Sequence, residues 1–436
     1  MEQVGVRTGS FPRWFILAVI STAYIAVMSN IQGFKAMLPQ VEAEFAISGA
    51  QAGLYPSFYF LSATLIALFS GKVVDNLGPK KGLVIGVGMV GGMIVLHSFA
   101  PFFGVILGLA FLTGVGFSII TPSLNKGVLE VVEPGKRALS MGLTHSGGGV
   151  GALLGASLLP FLGENFGWRP ALMGAGIFAL CISLFIFKFY RRGEMEEASN
   201  PESGVSSDNG SNFDSNSSSE NRGVPASTLK GDLLLLLQDR YLLSICLMGL
   251  VFGTSISSIT GHFALFLNQD LGFSPFLAGL GLSFFHLGGI FGQPGWGLVN
   301  DRLFRGDRRR GLFLLGILSA AMAVVVGTLA SYGEATLTVV LTFSLLLGLF
   351  VLGIPGIYFT AVSELAPADK TGVATSLALI FIRAGVILSP PLFGVLSDWS
   401  GDYTYSWVLL GLLAGCLTLV SFYLSGKFAD TPTISS

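Results

Sequence analysis

The chain has 436 residues, of which 52% are hydrophobic and 11% charged, and its mean hydropathy is +0.73. That balance excludes a water-soluble domain of this length and predicts a polytopic membrane protein. The net charge of -1 offers no general attraction for nucleic acid, and Cys181, Cys246 and Cys416 all lie inside apolar runs, which excludes a disulfide or metal framework.

A membrane-spanning helix needs about 20 mostly apolar residues. Twelve runs qualify. The first six cover roughly Trp14 to Leu38, Ala50 to Ser70, Gly82 to Phe99, Phe102 to Leu124, Ala138 to Leu162 and Pro170 to Phe189. The second six cover roughly Tyr241 to Leu267, Phe276 to Val299, Gly311 to Ala330, Leu337 to Val362, Gly372 to Leu396 and Tyr405 to Leu424. The first run has no small-residue cleavage site, so it reads as a retained helix rather than a signal peptide. Arg191 to Lys230 is rich in Ser, Asn, Glu and Gly with almost nothing apolar to bury, and is expected to be a disordered linker. The predicted organisation is therefore an all-α polytopic membrane protein of twelve transmembrane helices. It has an N-terminal six-helix bundle (1–190), a linker (191–240), a C-terminal six-helix bundle (241–426) and a short tail (427–436).

Basic residues orient the chain. With the N-terminus inside, all of the 24 Lys and Arg except Lys35, Arg169 and Arg383 fall in or beside cytoplasmic segments. This asymmetry predicts a multi-pass protein of the plasma (inner) membrane with both termini and the linker in the cytoplasm. The sequon-like Asn209 and Asn216 then face the cytoplasm, against glycosylation.

Between the second and third runs stands GKVVDNLGPKK, with Gly71, Asp75, Gly78, Lys80 and Lys81 forming a tight polar hairpin. A weaker copy, with Gly297, Asp301 and Arg302, begins 226 residues later, at Gly297. Glu130, Pro134 and Lys136 lead into the fifth run as Glu364, Pro367 and Lys370 lead into the eleventh, at an offset of 233 or 234. Two copies of each feature mark a duplicated membrane unit, hence two pseudo-symmetric bundles.

The pattern Gly71-x3-Asp75-x2-Gly78-Pro79-Lys80-Lys81 resembles the cytoplasmic loop motif of the major facilitator superfamily, and the linker-split layout matches that family over nearly the whole chain. Gly167-Trp168-Arg169 at the sixth helix agrees with it. The resemblance implies a secondary transporter working by alternating access, with the Asp75 loop bracing the halves on the cytoplasmic side. Ala110 stands where the family's helix-four motif places an arginine before Gly-x-Gly, here Gly114-Val115-Gly116, and helix five lacks the Gly-Pro pair of drug antiporters. The first departure removes an arginine that the resemblance ties to proton coupling, and the second speaks against proton-driven efflux. Thr121-Pro122-Ser123-Leu124-Asn125-Lys126 is similar to a stretch of the family's uptake carriers for small anions.

Charge inside the bilayer is the best guide to cargo, because an arginine at mid-helix costs about 2.5 to 3.5 kcal/mol on insertion scales. Arg383 lies near the centre of the eleventh run, and no Asp or Glu occupies the middle of any predicted span. It is expected either to hold a substrate anion through its two-pronged guanidinium or to bond backbone carbonyls within the helix packing. His145 and His286 are the candidates for proton exchange near neutral pH, while His97 and His262 read as satisfied by backbone or water. Asn30, Lys35, Asn125, Thr260 and Tyr358 are among the polar groups on helices that line the cavity in this family. Lys35 reads either as a cation that attracts anions at the outer mouth or as a residue that snorkels to the interface, and Pro355 between Gly353 and Gly356 as a kink in helix ten, either permitting gating or static. With no His/Cys/acid cluster in the spans, neither an enzyme nor a cofactor or metal is expected. The expected cargo is a small organic or inorganic anion such as a carboxylate, taken up with protons. Efflux of a metabolite or drug, and a non-transporting sensor, stand as alternatives.

Overall fold

The structure, a computed structural model, describes residues 13–133, 136–190, 240–329, 335–365 and 371–426. The linker with Asn209 and Asn216, the tail at 427–436, and Pro134, Pro367 and Lys370 of the repeat lie outside the described residues. The helices are α1 (Arg13–Ala36), α2 (Leu38–Phe45), α3 (Gly49–His97), α4 (Phe103–Val131), α5 (Arg137–Phe166), α6 (Trp168–Phe189), α7 (Arg240–Gln269), α8 (Pro275–Leu303), α9 (Arg308–Thr328), α10 (Leu337–Val351), α11 (Ile354–Leu365), α12 (Thr371–Ser400) and α13 (Thr404–Gly426). Eleven helical segments among them are long and apolar enough to cross a membrane, and their exposed flanks carry large apolar side chains such as Leu184, Phe187, Leu388 and Leu392.

Local chemistry sets the ends and breaks of these helices. Ser48 and Gln51 form a reciprocal capping box that starts α3, and Ser274 accepts the N–H of Leu277 at the start of α8, where Pro275 needs no donor partner. The second and third predicted spans form one element, α3, broken at Gly78 alone, where φ is +79° and ψ 161°. The hairpin expected over the whole motif is therefore narrower. Lys72 to Leu77 stay helical, because polar residues beyond the apolar run are free to continue a helix in water. Span ten is likewise interrupted, ending as α10 at Val351 and resuming as α11 at Ile354, next to Pro355, which lacks the N–H that would continue the ladder.

Packing sorts the helices into two bundles of six spans. In the first, α3 lies on α4 and α6, and α1 on α5; in the second, α7 lies on α12, α9 on α13 and α8 on α10. Two helix pairs, α3 with α12 and α5 with α8, carry most of the contact between the bundles, and α7 against α1, α2 and α3 and α8 against α1 add smaller contacts. The first and last helices begin and end on one face of the protein, here the termini face. The short α2 lies on the opposite face, the α2 face.

Candidate functional site

The seam between the halves is built twice. Ser57 Oγ on α3 donates to the carbonyl of Ile387 on α12 at 2.5 Å, and Ser283 Oγ on α8 donates to the carbonyl of Leu153 on α5 at 2.9 Å. Asp398, ending α12, accepts the N–H groups of Gly49 and Ala50, while Glu164, near the end of α5, accepts that of Phe276 at 2.7 Å. A methyl group on Gly53 would run into the carbonyl of Pro390, and one on Gly279 into that of Ala156. From Ser57 to Ser283, Ala50 to Phe276 and Gly53 to Gly279 the offset is 226; from Leu153 to Ile387, Glu164 to Asp398 and Ala156 to Pro390 it is 234. These are the repeat offsets of the loop motif and of the lead-in to helix five.

All of these contacts lie in the half of the seam nearer the α2 face. There, Gln269 Nε2 also donates to Glu42 at 2.5 Å, and His262 Nε2 lies 3.1 Å from the carbonyl of Gly49. Burial raises the pKa of the Glu42 carboxyl against the opposing bond from Gln269. Glu44 is held below the usual carboxylate range, first by its bond to Arg169, whose guanidinium also reaches the carbonyls of Ser98 and Ala100. Trp168 Nε1 donates to the same carboxylate at 2.5 Å. The Glu44 group lies within the first half, whereas the contacts of Asp398, Glu164, Gln269 and His262 cross between the halves and shut the seam on the α2 face.

At the inner end of the seam sits a group drawn from both halves. Lys35 on α1 is only 1% exposed; its Nζ donates to Thr260 Oγ1 on α7 at 3.1 Å and lies 5.3 Å from the ring centre of Phe60. The Arg383 guanidinium, half-buried on α12, lies 5.7 Å from the same ring centre. Among the described residues Arg383 has no hydrogen bond and no ion pair. His286 on α8 is buried, its Nε2 has no partner, and Lys35 is its charged neighbour. Lys35 does not snorkel as expected. Beyond α1 the chain folds back as α2 and turns Leu38, Pro39 and Val41 inward, so the core continues past the helix end.

The other predicted site residues are distributed as follows. His145 on α5 and Asn125 on α4 come together, with His145 Nε2 2.9 Å from Asn125 Oδ1 and Tyr24 of α1 edge-on to the imidazole at 5.7 Å. His145 is exposed. Asn30 is buried on α1, where Nδ2 donates to the carbonyl of Ala26 and Oδ1 is unpartnered. Tyr358 is fully buried and donates its hydroxyl to the carbonyl of Ala378, tying α11 to α12. His97 Nδ1 lies 2.7 Å from the carbonyl of Met93, as expected, while its buried Nε2 has no partner among the described residues.

The loop motifs lie on the termini face, and each acid pairs within its own half. Asp75 meets Lys126 of α4 at 2.8 Å rather than a residue across the seam, and Lys80 lies over Phe187 of α6, while Gly71 and Lys81 are exposed. In the second copy, which starts at Gly297, Asp301 pairs with Arg308 at 2.6 Å, and Arg308 reaches Glu364 at 3.1 Å; Arg302 is exposed.

Phe60 and the paired seam were not marked by residue type alone, while Lys35 and Thr260 were marked only among the polar residues of cavity-lining helices. The signal that finds the seam is the offset. Applying 226 and 234 along the chain pairs Ser57 with Ser283 and Asp398 with Glu164.

A sequence model described as the Major Facilitator Superfamily matches residues 20–378 and 245–435. The membrane sensor protein UhpC of Escherichia coli (strain K12) is 25% identical over 417 residues, covering 94% of this chain and 91% of that protein. The probable sulfoacetate transporter SauU of Cupriavidus necator is 22% identical over 422 residues, covering 95% and 94%. Among solved structures, a bacterial homolog to the human lysosomal transporter Spinster, in an inward-facing and unoccupied conformation, matches with a TM-score of 0.76 at 16% identity over 96% of this chain and 98% of that one. At that identity the likeness is one of fold.

Proposed function

The chain belongs to the major facilitator superfamily, a family of transporters and not enzymes, and from that premise we propose that it takes up a small organic or inorganic anion together with protons. The observation that carries this reading is Arg383. A guanidinium in mid-span, with no hydrogen bond and no carboxylate among the described residues, needs a negative partner, and a cargo anion supplies it. The match to SauU, named for sulfoacetate, itself an anion, supports the same cargo class. In this reading the termini face is cytoplasmic in the plasma (inner) membrane, and the seam is closed to the outside and open to the cytoplasm. His145, exposed and bonded to Asn125, is the proton carrier.

Alternating access requires ligands that bind the two access states unequally. A cargo held by Arg383 on one half and by groups of the other does so, because its contacts form only as the halves approach. Uptake into proteoliposomes carrying an internal pH dye tests the reading. An added carboxylate should acidify the lumen, Arg383→Lys should weaken uptake by losing the fork, and His145→Gln should leave exchange intact while removing its dependence on a pH gradient. Full uptake by Arg383→Lys would sink the cargo role.

A second reading, a sensor built on the same fold, is favoured by the full-length match to UhpC. The same vesicles separate the two, since a sensor that only binds its anion gives no counterflow of labelled anion.

A further inference from the structure

We propose that Lys35 and Arg383 form a two-point site for a small dianion, one acid group on each cation, with the ligand bridging the two halves of the protein. Resting on the anion reading of Arg383, this adds a second cation and narrows the ligand to one that carries two acid groups.

The two cations share one ring. Lys35 Nζ is 5.3 Å and Arg383 Cζ 5.7 Å from the centre of Phe60, so the sum of those distances, 11.0 Å, is the largest separation the two charged atoms can have. Neither has an acid partner among the described residues; the one hydrogen bond of Lys35 goes to the neutral hydroxyl of Thr260. Two like charges this close, one of them wholly buried, each bear a desolvation penalty that no protein carboxylate offsets. A monoanion on Arg383 would leave the ammonium uncompensated. A dianion offsets both.

The surrounding polar atoms point the same way. Tyr59, beside Phe60, keeps a buried hydroxyl without a partner and has Arg383 as a charged neighbour. His286 keeps an unpartnered Nε2 beside Lys35. Buried polar atoms are rarely left unpaired, so each cation comes with a spare hydrogen-bonding group for the acid it would hold. Charge-assisted hydrogen bonds are about 2.8 Å long. The oxygen held by Arg383 lies about 1 Å further from Cζ than from its donor nitrogen, so a ligand lying between the cations has at most about 4.4 Å between its acceptor oxygens, which fits a diacid of about two to four carbons or a short acid bearing a phosphonate or sulfonate.

Lys35 belongs to the first half and Arg383 to the second, and the group lies at the inner end of the closed seam. A ligand gripping both cations therefore favours the arrangement in which the halves meet around it.

Thermal melting of the purified full-length protein with acetate, malonate, succinate and methylphosphonate tests this, with dissociation constants read from the shifts. On the wild type, malonate or succinate should bind about tenfold more tightly than acetate. Lys35→Met should weaken the diacid to the level of acetate and leave acetate unchanged, whereas Arg383→Met should lose both. Without ligand, Lys35→Met should melt at or above the wild type, since it replaces an uncompensated buried charge by an apolar chain of similar size; a purely structural Lys35 predicts a lower melting point. Diacids that bind no better than acetate, or that bind Lys35→Met as tightly as wild type, overturn the two-point site and leave the anion reading standing. If none of the four anions binds the wild type, the anion reading falls and the two-point site with it. Should Lys35→Met not fold, Thr260→Val, which removes the acceptor that orients Lys35, should weaken the diacid but not acetate, and equal effects on both would overturn the proposal.

Discussion

The carboxylate of Asp398, at the end of α12, accepts the N–H of Gly49 at 2.7 Å and of Ala50 at 2.9 Å, at the start of α3 in the other half of the protein. The first N–H groups of a helix have no partner within it, and its N-terminus carries a partial positive charge, so an acid there is doubly favourable. Here that acid comes from the opposite bundle. Opening the α2 face strips the cap from α3, and in the repeat the same opening strips Glu164 from Phe276.

Asp398→Asn keeps an acceptor but removes the charge. Since Asp398 is exposed, the loss is about 1 kcal/mol of closure, or roughly a fivefold shift toward the state open on the α2 face. A cysteine at Ile387, inside the seam, in a background free of the three native cysteines, reports this as faster thiol labelling. Adding Glu164→Gln, at the distant second copy, should raise the rate by a similar factor again. Labelling that stays at the parental rate would refute the cap as a latch.

Gly53 and Gly279 test the seam by sterics alone. An added side chain at either meets backbone carbonyl, Pro390 or Ala156, which no rotamer change relieves. Gly53→Leu and Gly279→Leu should each cost about 1 to 3 kcal/mol of closure, as overpacking does. Both should leave a folded protein, by size-exclusion profile, with the seam cysteine freely labelled and exchange lost. Gly92→Ala, where an added methyl meets nothing, is the control and should behave as wild type.

Asp270, just past the end of α7, gives a pH dependence. Burial pushes its carboxyl up to about 6, Asp402 adds to the rise, and the N–H of Tyr403, which it accepts at 2.8 Å, partly offsets it. A carboxyl whose folded pKa exceeds its unfolded value holds its proton more tightly when folded. Its penalty is therefore present above pH 6 and relieved as pH falls from about 6 toward the ordinary aspartate value near 4. Asp270→Asn, which keeps an acceptor for Tyr403, should raise the melting point at pH 7.5 and leave it unchanged at pH 4. The gain is no more than about 1 kcal/mol after screening at this partly exposed site. Equal melting points for the two proteins at pH 7.5 would refute it.

Apolar run length placed the spans, and a repeated acid-and-glycine loop announced the duplication. Arg383 was legible because a charge at mid-span is costly wherever it occurs. Lys35 was legible only in part: near the end of an apolar run it reads as a cation at the outer mouth, drawing anions or reaching water, and only the fold-back of α2 buries it. Ser57, Gly53 and Asp398 were illegible for another reason. Serine, glycine and a terminal acid are ordinary in spanning helices, and what sets these apart is the partner in the other half, 330 residues away for Ser57. Such partners are visible in sequence only as a pair of offsets.

The two glycines of the loop motif differ in what the backbone asks of them. At Gly78, φ is +79° and ψ 161°, a conformation that residues with a Cβ rarely adopt, and Pro79 constrains the exit from the turn. Gly71 lies in the continuous helical stretch before it. A methyl at either position meets no atom within 4 Å. Packing therefore contributes nothing to the difference, and only backbone conformation remains. Gly78→Ala should lower stability by about 1 to 3 kcal/mol, the strain of that region for a residue with a Cβ. Gly71→Ala should raise it by about 0.5 to 1 kcal/mol through helix propensity. Melting of the two variants in the same detergent checks both signs at once. If both lost stability equally, the effect would come from the motif's surroundings on the termini face and not from the turn at Gly78.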